Sequence, residues 1–371
     1  MALGIPTRMI HVVSRRGPSG VQVAKLEGGR RRLGRIRWFF LWLLCFYATW
    51  AGIVIAADAW LVVAQHWGIA AAMVAGSYVA GSTPMGGGTV GFPILVLVFD
   101  HSASLGRDFG FAIQSIGMTS ASIFILCTGR PLERRLLKWA MLGSLLATPL
   151  AVAFLAPHVD ERVMKMLFAV VWGSFGIMHF VKLNQICAAT GMTRMSPAFD
   201  RGAGLAIGIA GGGLIASLTG VGIDMLLYVV LVLLARADLK IAIPTSIVIM
   251  AWTSLVGITS VFTLSWLAPD LWMPDPELGG SWLAAAPVVA LGAPLGAFVM
   301  SRIRRKPTLL FVSGLCLVQF VWMAWSERVS LGSWGIALSI AGLLLFNLAF
   351  HVMYRLGTRL EQQRGHSEWL G

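Results

Sequence analysis

GSTPMGGGTVGFP at residues 81–93 and SLTGVGID at residues 217–224 decide the fold. Each is a break of glycine, hydroxyl and proline residues inside an otherwise apolar stretch, the first at about 69–99 and the second at about 201–234. A membrane interior offers no water to free backbone N–H and C=O groups. Irregular backbone at that depth therefore survives only where protein buries it or where it lines a cavity. Corresponding Gly/Pro-interrupted segments in two halves of a chain mark the substrate site of a transporter. The pieces on either side of each break are about 10 to 18 residues long, which suits re-entrant half-helices.

Outward from the breaks lie uninterrupted apolar runs at about 36–64, 108–127, 137–156, 161–181, 241–264, 282–301, 309–326 and 334–354, each long enough to span a bilayer. The sequence is 57% hydrophobic and 12% charged, which excludes an ordinary soluble globule, whose charged share is roughly a quarter. The expected architecture is an all-α polytopic membrane protein with eight spanning helices and two re-entrant helical hairpins. A single transmembrane transport domain over 36–354 follows a basic cytoplasmic arm (1–35) and precedes a cytoplasmic tail (355–371). Basic residues 30–37 run into the apolar segment from Trp38, the order of a signal peptide. That apolar segment is too long for one and reads as the first span. The cysteines, Cys45, Cys127, Cys187 and Cys316, stand singly without metal-ligand spacing, so they read as buried thiols, with no metal site and no bound cofactor.

A net charge of +13 invites a nucleic-acid partner, but the basic residues fall in short clusters between apolar runs, as the positive-inside pattern requires. No nucleic-acid partner is expected. If each broken stretch enters and returns on one side, 25 of the 29 Lys and Arg face the cytoplasm; only Arg107, Arg162, Lys165 and Arg328 lie outside. The outer loops then carry Asp100, Asp108, Asp160, Glu161, Asp270, Asp275, Glu277 and Glu327. A single crossing by either stretch would put clusters such as Arg130, Arg134, Arg135 and Lys138 outside, against the rule. Charge excludes a single crossing without separating a hairpin from two short spans; length favours the hairpin.

Under this topology the first break enters from outside and the second from the cytoplasm, so the halves are inverted repeats over about 69–181 and 201–326. A shift of 136 residues places Gly76 on Gly212, Thr83 on Thr219 and Gly88 on Asp224. The runs 36–64 and 334–354 fall outside the repeat, as peripheral elements or as contacts of a homodimer.

The breaks carry their own chemistry. Half-helices starting near Thr89 and Ile223 direct unsatisfied N–H groups and positive dipole ends toward the bilayer middle, where they suit an anion. Gly86, Gly87, Gly88, Gly220 and Gly222 let the backbone approach an oxyanion closely; the competing reading is tight helix packing. Packing is the better reading for Gly76, Gly211, Gly212 and Gly213. Thr83, Thr89, Gln114, Ser115, Thr219, Thr245 and Ser246 are candidates to complete the cage, although a hydroxyl inside a helix also bonds its own i−4 carbonyl. Gln114 stands out because an unpaired amide in lipid is costly.

A carboxylate at a mid-membrane break is a functional-site hypothesis by default, and Asp224 is one. Two roles stay open for it: it carries a proton coupled to anion movement, or its oxygen caps the following half-helix. His179 reads as an interfacial side chain near a span end. No H-E-x-x-H, G-x-S-x-G or paired intramembrane aspartates point to an enzyme.

The glycine triplet at 86–88 followed, after four residues, by Pro93, the second Gly-Val-Gly at 220–222 and the downstream Thr245-Ser246 resemble the TauE/SafE sulfite exporter family, also called TSUP transporters. The resemblance extends over about 69–326. It implies transport of sulfite or an organosulfonate such as sulfoacetate, without fixing the direction. The second copy departs from the family pattern: Ile223 and Asp224 replace glycines, and Val229 holds the proline position. The expected function is a secondary transporter of a sulfur-containing anion in the bacterial cytoplasmic membrane, with both termini cytoplasmic and protons as the candidate coupling ion. The alternatives are a passive anion channel, which uses the same half-helix dipoles without alternating access, and, less favoured, an intramembrane enzyme.

Overall fold

A computed structural model describes residues 18–270, 272–302 and 305–369, and among them there is helix and no strand. Helix α1 runs Pro18–Ala56, followed by short α2 (Trp60–Gln65). The first broken stretch is α3 (Trp67–Ser82) and α4 (Gly88–Val98). Then come α5 (Ala103–Thr128), α6 (Arg134–Phe154) and α7 (Glu161–Ala188). The second broken stretch is α8 (Pro197–Thr219) and α9 (Ile223–Leu234). It leads into α10 (Leu239–Leu267), α11 (Glu277–Met300), α12 (Arg305–Ser326) and α13 (Arg328–Trp369), the last kinked at Gly332.

Local sequence sets the helix ends. Ser102, Asp160, Ser196 and Asp238 each accept a backbone N–H in the first turn of α5, α7, α8 and α10, and Pro197 occupies the first turn of α8. Gly129 closes α5 in the left-handed conformation at φ 66°.

The ends gather at two faces. At the acidic face His66 meets Glu277 (2.9 Å) and Lys165 meets Glu327 (2.8 Å). Arg107, Asp108, Pro157, Glu161 and Trp272 line one recess there. At the basic face Arg130 donates to the Ala297 carbonyl (2.8 Å), the Thr193 N–H to Ala235 (2.8 Å) and the Asp238 N–H to Gly191 (2.7 Å). His66 and His101 share a recess, as do Asp200 and Ala235. Each broken stretch therefore leaves from and returns to one face, the first at the acidic face and the second at the basic face.

The halves exchange arms. Helix α3 of the first half lies along α11 of the second, Gly81 against the Ala293 backbone and Gly296 against Tyr78. Helix α8 of the second half lies along α6 of the first, Gly204 against Leu136 and Gly208 against Ala140 and Ser144. Small residues at these crossings let backbones come into contact, which lipid-embedded helices use in place of a hydrophobic driving force. Helices α5 and α10 pair across the halves, as do α7 and α12.

Burial separates centre from rim: 78% of the apolar window of α5 and 72% of that of α7 is buried, against 17% for α1 and 11% for α13. The two helices outside the repeat are the peripheral ones. Nine helices among the described residues are long and apolar enough to cross a membrane, one more than the eight uninterrupted runs. The extra one is α8. The second break was expected to divide its stretch into two half-helices, but α8 starts at the Ser196 cap and is 23 residues long. Other limits also move. The first run ends at Ala56 rather than 64, where Asp58 takes φ 47°. The final helix continues past the apolar run's limit at 354, through Trp369. The basic arm is helical from Pro18; its residues 1–17 lie outside the described residues, as do 370–371 of the tail.

Candidate functional site

The two breaks meet inside the bundle. Helix α3 stops at Thr83, whose backbone turns extended (φ −135°, ψ 167°) while its hydroxyl donates to the Val79 carbonyl at 2.7 Å. Helix α8 stops at Thr219, whose hydroxyl reaches Ile215 (2.8 Å) and Val221 (2.9 Å). These threonines occupy equivalent places in the repeat and make the same i−4 bond. After Thr219 the chain reverses through Gly220 at φ 75° and Gly222 at φ 110°, a conformation L side chains rarely adopt. Arg107's carbonyl lies where a Gly220 Cβ would stand.

Side chains from three helices fasten this junction. Gln114 of α5 donates through Nε2 to Gly110 O (2.9 Å) on its own helix and to Gly220 O (3.0 Å) on the second break. Its amide oxygen presses on Gly86 of the first break. Trp172 of α7 donates to the Thr89 hydroxyl at 3.0 Å, and its ring edge lies against Gly222. Gln319 of α12 donates to the Thr89 carbonyl at 2.9 Å. Gly88 and Val221 touch across the two breaks.

Residues 81–89 and 215–225 are all buried. Among the described residues, the N–H groups of Gly87 and Gly88 on the first break, and of Val221 and Ile223 on the second, donate to no acceptor, while the Gly86 N–H faces the Asp224 carboxyl. Such clusters of free amides at helix starts form a ready site for negative charge.

Asp224 is fully buried in the first turn of α9. Its Oδ1 accepts from the N–H groups of Gly222 (3.2 Å) and Met225 (3.0 Å). Its Oδ2 has no partner among the described residues, and the Gly86 N–H is close enough to act on the carboxyl.

Of the residues singled out in the sequence, Gly86, Gly87, Gly88, Thr89, Gln114, Thr219, Gly220, Gly222 and Asp224 belong to this junction, with Thr83 one step before it. Three lie otherwise. Ser115 donates to Ala112 (2.8 Å) and lines an apolar recess with Ile258 and Trp282. Thr245 donates to Ile241 (2.6 Å) and accepts from the Glu133 N–H (3.0 Å) at the basic face. Ser246 donates to Ile243 (2.8 Å) within its own helix.

His179 is not the interfacial side chain its position suggested. It is 1% exposed, with Nδ1 bonded to the Phe175 carbonyl and Nε2 3.0 Å from the Tyr228 hydroxyl on α9. Trp172 and Gln319 were missed by sequence reasoning. Gln319 carried the signal that singled out Gln114, a lone amide in an apolar run. Trp172 sits mid-run, away from the interfacial positions where tryptophan forms a belt.

A family model described as Sulfite exporter TauE/SafE matches residues 68–323. That range begins in α3, ends in α12, contains both breaks and leaves out α1 and α13. Comparisons with curated proteins and with solved structures gave no match.

Proposed function

This chain belongs to the sulfite exporter TauE/SafE family, whose members are membrane transporters, and we propose that it moves sulfite or a small organosulfonate by alternating access. The anion sits between the two breaks, cradled by the free N–H groups of Gly87 and Gly88 and of Val221 and Ile223. The observation that carries this reading is the convergence of those unpaired amides, from two oppositely entering stretches, on one buried junction. Their dipoles match negative charge without a fixed cation, so the anion is held without a salt bridge to resist its release.

Asp224 is the proton carrier in this reading. An anion entering beside a carboxylate repels it, and a proton taken up on Oδ2 removes the repulsion. Anion and proton therefore travel together. The basic face lies in the cytoplasm of a bacterial cell, following the positive-inside rule, with both termini there.

The test is uptake into proteoliposomes across a panel of sulfite, sulfoacetate, taurine, sulfate and a monocarboxylate, with and without a pH gradient. Sulfite or sulfoacetate flux that responds to the pH gradient is the expected result. Current whose reversal potential follows the anion gradient alone identifies a channel instead, and no flux of any panel member overturns the transport reading.

A further inference from the structure

Gln114 has spent both of its amide hydrogens. The carbonyls of Gly110 and Gly220 receive them, and those two acceptors fix which end of the amide is nitrogen. With its donors committed, the side chain ties helix α5 of one half to the break of the other. What remains is an acceptor, Oε1, which is buried, lies against Gly86 and has no partner among the described residues. Asp224 Oδ2 is a second buried acceptor without a partner, and its carboxyl feels the N–H of the same Gly86. An unsatisfied buried acceptor costs about 1–3 kcal/mol, more when charged. The Gly86 N–H is one donor beside two acceptors, so a second donor is needed between them.

We propose that the coupled proton resides on Asp224 Oδ2 and is donated to Gln114 Oε1, so that Gln114 is the second member of the proton site and the proton clasps the two halves together. This rests on the transport reading above and gives it a mechanism. With the proton present, Gln114 grips the second break twice, at Gly220 O and at Asp224. When the proton leaves Oδ2 for water on the open side, Asp224 becomes a carboxylate, and two acceptors are left with no hydrogen between them besides the Gly86 N–H. That contact then repels, and the breaks are free to part. Proton occupancy and the closed state are thereby linked.

Other ionisable groups on the surrounding elements have partners of their own or stand at helix ends. Tyr228, one turn along α9, is bonded to His179 of α7. Arg107 of α5 is paired with Asp108 at 2.7 Å. Cys316 of α12 is bonded to Met85. Asp200 of α8 and Lys240 of α10 lie in the first turns of their helices, at the basic face, and Arg201 follows Asp200.

The experiment reconstitutes wild type, Gln114→Leu, Gln114→Glu and Asp224→Asn in liposomes, and measures protons moved per labelled sulfite with an internal pH dye. Asp224→Asn sets the proton movement due to sulfite's own protonation. The ratio for Gln114→Leu should fall to that baseline, because the acceptor is gone. The ratio for Gln114→Glu, which keeps an acceptor oxygen, should stay above it, near the wild-type value. A wild-type ratio in Gln114→Leu overturns the clasp and leaves sulfite transport standing. If Gln114→Leu does not fold, a baseline ratio in Gln114→Glu overturns it equally. A wild-type flux that follows a sodium gradient and ignores the pH gradient also overturns it, with a metal cation as the guest of the two acceptors. Absence of sulfite flux in every protein is the separate failure of the transport reading.

Discussion

Gly220 and Gly222 are the residues on which the second break turns. Both carry positive φ, and a Cβ at Gly220 would collide with the Arg107 carbonyl, which belongs to backbone and cannot swing away. Gly220→Ala combines backbone strain of about 1–3 kcal/mol with that clash, so its melting temperature in detergent should drop well below wild type. Gly87→Ala should lie close to wild type, since the nearest obstacle is the flexible Met73 methyl 3.2 Å away. Equal melting temperatures for the two variants would refute the distinction. At Trp172 the expected effect is on affinity. Trp172→Phe keeps the ring stack on Phe168 but loses the bond to Thr89, a net loss of about 1 kcal/mol. The KM for sulfite should rise roughly fivefold with stability retained, and an unchanged KM would show that Thr89 needs no such anchor. Much of this junction was legible in sequence, because glycine, hydroxyl and carboxyl groups are conspicuous in an apolar run. The partners of Thr89 were not, because a buried tryptophan or glutamine shows its role only once a distant helix is placed beside it. Hydroxyls were the least legible type: Ser115, Thr245 and Ser246 satisfy carbonyls of their own helices, as the intrinsic chemistry of helical serine and threonine favours.

Element identity was readable from apolar length, while element limits were not. Hydropathy gave every long run as a helix, yet α8 exceeds its expected arm because Ser196 and Pro197 start it early and wide π-helical turns over Gly208–Ala216 carry it on. Such turns leave no mark in hydropathy, since they change hydrogen-bond register and not composition. Contacts between elements raise a different matter, the corner where α12 turns into α13. Burial alone would push the Glu327 carboxyl up, but the Lys165 ammonium and Ser330 hydroxyl that donate to it hold it below the usual carboxylate range. A lowered folded-state value means that this contribution to stability is present above the unfolded pKa of about 4.3 and is lost as pH falls through the folded one. Glu327→Gln should therefore cost about 1–3 kcal/mol at neutral pH. The gap from wild type should close under acid conditions. A gap of constant size from neutral pH down to pH about 3 would mean that the pair contributes through packing and not through charge.

At the scale of the whole molecule, the two faces decide how the chain crosses the membrane. Gln65 precedes the first broken stretch, and His158 follows it by two full helices, α5 and α6. If that stretch leaves and returns at one face, these positions share a side; if it crosses once, they are opposed. Thr190 and Lys240 bracket the second stretch in the same way, with no full span between them besides the stretch itself. The recess joining His66 to His101 and the recess joining Asp200 to Ala235 fit the shared-side arrangement for both. Loop charge alone reached the same parity, because lysine and arginine are held back from translocation whatever the helices do inside. It was blind to the exchange of arms between halves, which depends on small residues meeting in space. Gln65, His158, Thr190 and Lys240 are all exposed, so each accepts a cysteine in a background whose native cysteines are replaced by alanine. In intact cells a membrane-impermeant maleimide should label Gln65→Cys and His158→Cys at once, and Thr190→Cys and Lys240→Cys only after permeabilisation. Splitting of either pair between the two conditions would mean that its broken stretch crosses outright. The breaks would then no longer enter from opposite sides, and a common anion site between inverted halves would lose its geometric basis.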